Sequence, residues 1–126
     1  MIFLGNTSDQ ELIPIIETIG EVTQKHSSFD LLISSIVYGP LPEKPSMIWA
    51  IIDPSGELQA FQRDLENALA FSDKISFMKE RRAFYPHLTL ARLQQSEFNR
   101  IEIDERPELN EKTSLSFPVS SIEVME

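Results

Sequence analysis

One short segment of the sequence, residues 82–92, carries side chains that could perform acid–base chemistry. His87 and Thr89 are two residues apart, and alternate side chains of a β-strand point to the same face. An imidazole and a hydroxyl are therefore predicted to project together, and we place Arg92 on that face as well. Histidine moves a proton near neutral pH, threonine donates a hydrogen bond, and arginine neutralises negative charge. The three types together suit a phosphate ester.

The flanking residues predict how this strand begins and which of its faces is buried. Pro86 fixes the entry to the strand and biases Tyr85 towards an extended conformation. Leu88 and Leu90 alternate with the polar residues, so we expect both to be buried in a core. Taken alone, a His-x-Thr pair is more often a satisfied polar pair on a solvated sheet, and the motif is a hypothesis.

The wider string around this pair resembles the second His-x-Thr motif of the 2H phosphoesterase superfamily. Within it, the string is most similar to that of the bacterial 2'-5' RNA ligase and RNA 2',3'-cyclic phosphodiesterase family. It reads Phe84-x-Pro-His-Leu-Thr-Leu-Ala-Arg92, and Phe3-Leu-Gly-Asn-Thr7 is similar to the segment that follows the family's first motif. Weaker similarity covers most of the chain. The resemblance implies a two-lobed α+β fold with pseudo-two-fold symmetry, in which antiparallel sheets carry helices on the outside.

The resemblance also implies an activity, which is the opening of a 2',3'-cyclic phosphate at an RNA end or in a small nucleotide. That reaction needs a base for water and an acid for the departing ribose oxygen, and two imidazoles can supply both without a metal. No metal and no cofactor are expected. His87 would take one of the two acid–base roles, and Thr89 and Arg92 would hold the phosphate. Further substrate contacts are expected from residues just before the motif: Arg82, Phe84 and Tyr85.

The family's first His-x-Thr motif should lie immediately before Phe3, whereas this sequence begins at Met1. We therefore expect half of a site and a fold that is incomplete at the N-terminus, because the start was placed too late, the chain is trimmed, or the protein is a degenerate homologue. A sheet edge left open there predicts a homodimer through the N-terminal side. Two other classes stay open: a non-catalytic module that binds phosphate or nucleotide, and a structural α/β domain in which His87 is a spectator.

The amino-acid composition limits the kinds of molecule that the protein is expected to bind. The 126 residues, 41% hydrophobic and 25% charged, predict one domain over residues 1–126. A net charge of −9 argues against a broad nucleic-acid surface, while Lys79, Arg81 and Arg82 lie near His87 and favour a small anion. No cysteine is present, which excludes thiolate sites and suggests a reducing cytoplasm. We expect no leader and no membrane partner.

The apolar pattern predicts the order β-α-β-β-α-β-(α)-β-β. The expected strands cover residues 1–4, 29–38, 47–52 and 87–92, with one or two more around Pro118. Ser8 and Glu11 have capping-box spacing before the first helix. Asp53 and Pro54 predict the start of the second helix, and residues 94–108 predict a short helix or loop.

Two further residues with functional potential receive structural interpretations. Trp49 lies inside a continuously apolar run, so we assign it to the core rather than to a base-stacking platform. His26 lies at the predicted C-terminus of the first helix, where a solvated or charged ring is common.

Overall fold

A computed structural model of the protein describes residues 2–109 and 112–125. It confirms the α+β class, with helices and a four-stranded sheet. The elements in chain order are α1 (Asp9–Thr23), β1 (Phe29–Gly39), β2 (Met47–Ile52), α2 (Gly56–Phe71), β3 (His87–Arg92), α3 (Gln95–Phe98), a 3₁₀ turn (Ile103–Glu105) and β4 (Lys112–Val119). The chain divides into two compact units, one of residues 1–30, 54–84 and 118–126 and the other of residues 31–53 and 85–117.

The first unit is built on the packing of α1 against α2. Apolar residues at helical spacing give each helix one buried stripe, since positions three and four apart share a face. The buried side chains are Ile15, Ile19, Val22, Leu65 and Leu69. Leu12 and Ile16 have the same helical spacing as the buried residues but are exposed. The buried stripe of α1 is therefore narrower than the row of apolar residues along it.

The start of α1 is held by the predicted pairing of Ser8 with Glu11. The Ser8 backbone N–H and hydroxyl both donate to one Glu11 carboxylate oxygen, at 2.9 and 2.6 Å. The other oxygen accepts from the backbone N–H of Ser76 at 2.6 Å, which ties the segment after α2 to the start of α1. These hydrogen bonds, those from Ser8 first, lower the pKa of Glu11 from 4.5 to about 2.

We expect Glu11→Gln to destabilise the protein near neutral pH and to have little effect near pH 2. A carboxylate whose folded-state pKa is lowered contributes stability above its unfolded value, and that contribution is lost as the pH falls from 4.5 towards 2. Urea unfolding followed by circular dichroism from pH 7 to pH 2 measures this. Glu17→Gln, at an exposed position of the same helix, is the matched control. A constant difference between Glu11→Gln and wild type at every pH would contradict the assignment.

Two predictions about the elements are wrong, one for the first strand and one for the start of the second helix. Residues 2–4 form no strand; Ile2 and Leu4 instead pack on the core between the helices, while Phe3 is 80% exposed. Met1 lies outside the described residues. The second helix is capped by Ser55, whose Oγ accepts from the Leu58 N–H at 3.1 Å, and it begins at Gly56 rather than at Pro54. The prediction of one or two strands around Pro118 is confirmed, because one strand, β4, is found in the described part of the chain after residue 111, and it ends at Val119.

The second unit is organised around the sheet, in which the strands lie in the order β3-β2-β1-β4. The β1–β2 and β2–β3 pairs are antiparallel. The predicted strands over residues 47–52 and 87–92 are confirmed at both ends. Among the described strands, β3, which begins with the motif histidine, lies at the edge of the sheet and pairs with β2 alone.

A β-bulge decides which way Arg92 faces. Strict alternation from Thr89 would place Arg92 on the face opposite to it, but Leu90 is an extra residue without a partner on β2. Trp49 pairs with Thr89, and Met47 pairs with Arg92. Because Met47 and Trp49 are two residues apart on β2 and directly paired residues share a face, Arg92 returns to the face of Thr89. Thr89 and Arg92 therefore share a face because of the bulge, and not because of simple alternation along the strand.

The prediction that Leu88 and Leu90 are buried is wrong. Their side chains are 43% and 54% exposed. An edge strand has a neighbour on one side only, so its side chains find fewer groups to pack against than those of a central strand. By contrast Ala50, which pairs with Leu88 from the inner strand β2, is buried.

Candidate active site

His87 is the first residue of β3, and its ring orientation is set by the residue before Pro86. Its Nδ1 lies 2.8 Å from the carbonyl oxygen of Tyr85. A carbonyl only accepts hydrogen bonds, so Nδ1 is the donor, and the neutral ring then carries its lone pair on Nε2. Pro86 is buried, and its own carbonyl accepts from the Ile52 N–H at 3.1 Å, which anchors this turn to β2. The local fold therefore leaves Nε2 as the ring atom that can exchange a proton.

Thr89 and Arg92 provide polar groups on the same sheet face as this ring, further along β3. Both are exposed, and the Thr89 hydroxyl makes a weak contact with Met47 Sδ at 4.0 Å. Within residues 2–109 and 112–125, Arg92 forms no ion pair with an acidic side chain. A hydroxyl and a guanidinium both donate hydrogen bonds to anions, so this sheet face offers donors to a phosphate.

Trp49 is the residue of this site that the sequence interpretation missed. Its ring stacks on His87, with centroids 4.0 Å apart and planes 25° from parallel. Tyr85 completes an aromatic cluster, 6.3 Å from Trp49 and 6.2 Å from His87. The assignment of Trp49 to the core is wrong, since the residue is half-buried and its face packs on the motif histidine. The useful signal lies in the pairing of Trp49 with Thr89, which only the register of the sheet reveals.

A cavity of about 680 Å³ opens beside this cluster. Its lining includes four aromatic residues, Trp49, Tyr85, Tyr38 and Phe98. The Arg106 guanidinium lies 4.6 Å over the Phe98 ring and is part of the same wall. Aromatic faces and one cation are the surfaces on which a nucleobase stacks.

Other predicted functional residues belong to the first unit. Arg82 is highly exposed and lies 3.7 Å from Glu80, and Phe84 lines a separate depression of about 410 Å³ beside Arg63. Their contact with substrate stays a prediction. His26 lies 3.2 Å from Asp64 and meets the Phe61 ring edge-on, which gives it a structural position, as the sequence indicated.

Metal-binding groups and membrane-spanning helices are both missing from the part of the chain that the structure describes. No three His, Asp or Glu side chains in residues 2–109 and 112–125 are grouped so that they could hold a metal ion. In the same residues no helix has the length and apolar character needed to cross a membrane.

Comparison with known proteins gives the class. Residues 3–126 match the family description "2'-5' RNA ligase superfamily", and the chain belongs to that superfamily. It is 29% identical over 97 residues to an RNA 2',3'-cyclic phosphodiesterase of Geobacillus stearothermophilus, and 28% identical over 94 residues to one of Aeropyrum pernix. These alignments cover 75% and 72% of this chain.

A solved structure shares the fold. The crystal structure of TT0787 of Thermus thermophilus superposes with a TM-score of 0.68 at 20% sequence identity, over 94% of this chain and 61% of that one. The matched region spans 29% of the Geobacillus protein and 49% of the Aeropyrum protein. The chain therefore corresponds to part of the length of each of these relatives.

Proposed function

We propose that this chain supplies one half of the active site of an RNA 2',3'-cyclic phosphodiesterase or 2'-5' RNA ligase-like phosphoesterase. The observation that carries the proposal is the hydrogen bond from His87 Nδ1 to the Tyr85 carbonyl. It directs the chemistry to Nε2, on the sheet face that also presents Thr89 and Arg92. The superfamily membership and the two phosphodiesterase relatives support it.

In the proposed reaction a cyclic phosphate lies over β3. Neutral Nε2 of His87 would accept a proton from the attacking water, or the protonated ring would give one to the departing ribose oxygen. Thr89 would donate to a non-bridging oxygen, and Arg92 would stabilise the negative charge that develops on phosphorus oxygens. None of these steps requires a metal, so we propose a metal-independent mechanism.

The proposed substrates are RNA ends and small 2',3'-cyclic nucleotides. The cavity beside Trp49 and Tyr85 would take the nucleoside attached to the phosphate. A net charge of −9 disfavours long nucleic acids that need many phosphate contacts. The absence of cysteine supports a cytoplasmic location as part of the proposal.

Inorganic phosphate and adenosine 2'-monophosphate should bind at this face, and ¹⁵N NMR of the histidine rings tests it. We expect shifts of the His87 ring signals with no shift of those of His26. Arg92→Ala should weaken binding about 10- to 100-fold, since hydrogen bonds to charged groups contribute about 1.5–3 kcal/mol.

Arg100→Ala, at another exposed arginine, is the matched control and should leave binding unchanged. Equal shifts of both histidines, or binding that does not depend on Arg92, would contradict the proposed site. Binding without turnover in every form of the protein would instead favour a non-catalytic phosphate-binding module. The predicted homodimer stays a proposal, tested by sedimentation of the 126-residue chain.

A further inference from the structure

We propose that Trp49 is a positioning residue that holds the His87 imidazole for catalysis by stacking on it. This inference deepens the proposed function and rests on it in one respect: the reaction that the ring is positioned for. The residues concerned, Gly39, Trp49, Tyr85 and His87, all belong to the second unit.

The imidazole is fixed by two constraints of different kinds. The hydrogen bond from Nδ1 to Tyr85 sets one edge of the ring but still lets it tilt about that bond. The indole of Trp49, with its centroid 4.0 Å away and only 25° from parallel, blocks that tilt from one side. Hydrogen bond and stack together restrict the orientation of the ring, which is what a proton-transfer group needs.

Gly39 is what allows the indole to lie there. Gly39 is buried on β1, and a Cβ built on it would come within 2.6 Å of Trp49 Cε3 and 2.8 Å of Cε2. Side-chain carbons do not approach an aromatic ring so closely, so any residue other than glycine would push the indole out of place. The sequence therefore places a glycine on β1, which leaves room for the indole, and the imidazole that the indole contacts on β3.

The indole nitrogen shows that this packing is not optimised for stability alone. Trp49 Nε1 is buried and has no hydrogen-bond partner among the described residues. An unpaired buried donor destabilises the folded state, and an aliphatic or phenyl side chain would avoid that cost. The flat indole face, in contrast, stabilises a cation placed over it. The indole therefore offers the His87 ring a face on which either form of the ring can stack.

Trp49 is the only tryptophan of the chain, so its fluorescence reports on this stack directly. A protonated imidazole in contact with an excited indole quenches it by accepting an electron. We expect wild-type fluorescence to be lower in acidic solution, where histidine is protonated, than in neutral solution. His87→Gln should remove this dependence, and His26→Gln, the matched control, should keep it.

A second set of variants tests positioning. Trp49→Leu should weaken phosphate binding about 3- to 10-fold, in proportion to a lost cation–π contact, and broaden the His87 ring signals. Trp49→Phe, which keeps an aromatic face, should restore most of the binding. Gly39→Ala should displace the indole from His87. Phosphate binding should then weaken and the His87 ring signals broaden as in Trp49→Leu, although Trp49 is still present. Circular dichroism of each variant establishes that it is folded.

The outcomes distinguish failure of the positioning role of Trp49 from failure of the proposed function. Fluorescence that responds to pH equally in wild type and His87→Gln would overturn the stack and with it the positioning role. Equal phosphate binding by Trp49→Leu and Trp49→Phe would also overturn it. A pH-dependent stack in a protein that binds no phosphate would instead remove the proposed function, because the fluorescence measurement does not depend on any ligand.

Discussion

Hydrolysis of 2',3'-cyclic nucleotides by the 126-residue chain alone should be about 10²–10⁴-fold slower than by a form that carries another His-x-Thr motif besides that of His87 and Thr89. Losing one positioned proton-transfer group commonly costs this much. The reaction needs an acid and a base on opposite sides of phosphorus, and one imidazole cannot serve both in a single step. The chain has two histidines, and the second, His26, is already engaged by Asp64 and Phe61.

A chimaera is the sharpest comparison. It joins these residues to the segment of the Aeropyrum relative that lies outside the matched region, and steady-state turnover of 2',3'-cyclic AMP is measured with and without a chelator. His87→Gln in the chimaera should remove the gained activity, while His26→Gln, the matched control, should leave it intact. Rapid hydrolysis by the 126-residue chain as a monomer, or a chimaera indifferent to His87→Gln, would contradict the half-site proposal.

The strand that carries the motif illustrates how far sequence patterns reach. Residues 87–92 could be assigned because Pro86 marks their start and apolar residues alternate with polar ones. The face of Arg92 could not be derived in this way, since it depends on a bulge at Leu90 that is defined only against the partner strand. A bulge shifts the alternation by one residue, and the sequence of β3 alone contains no signal that predicts it.

Burial was harder to predict than secondary structure for the same reason. Leu88 and Leu90 have the pattern of buried residues, yet they lie on an edge strand and remain accessible. Trp49 has the pattern of a core residue, yet its ring stacks on His87 of the motif strand and lies against Gly39. A period-two pattern predicts which side chains share a face of the sheet. Whether that face is covered by other residues depends on the order of the strands. Local signals such as Ser8 with Glu11 need no such information, and that prediction was confirmed.

Leu69→Ala should destabilise the protein by about 2–5 kcal/mol, because it deletes a large buried side chain and leaves a cavity. Leu69 is 0% exposed and lies in the cluster that joins α1 to α2, beside Ile15 at 1%. Such a loss is a large share of the roughly 5–15 kcal/mol that typically stabilises a domain. Thermal and urea unfolding, followed by helical circular dichroism, measure the effect.

Two companion variants make the expectation specific. Ile15→Val removes one methyl group from the same cluster and should cost about 0.5–1.5 kcal/mol. Leu12→Ala, on α1 with a side chain that is 46% exposed, should stay within about 0.5 kcal/mol of wild type. A Leu69→Ala protein as stable as Leu12→Ala would show that the α1–α2 cluster is not the core of this unit. All three substitutions lie on two helices that pack against each other. The expected order of destabilisation follows from how many buried atoms each substitution removes.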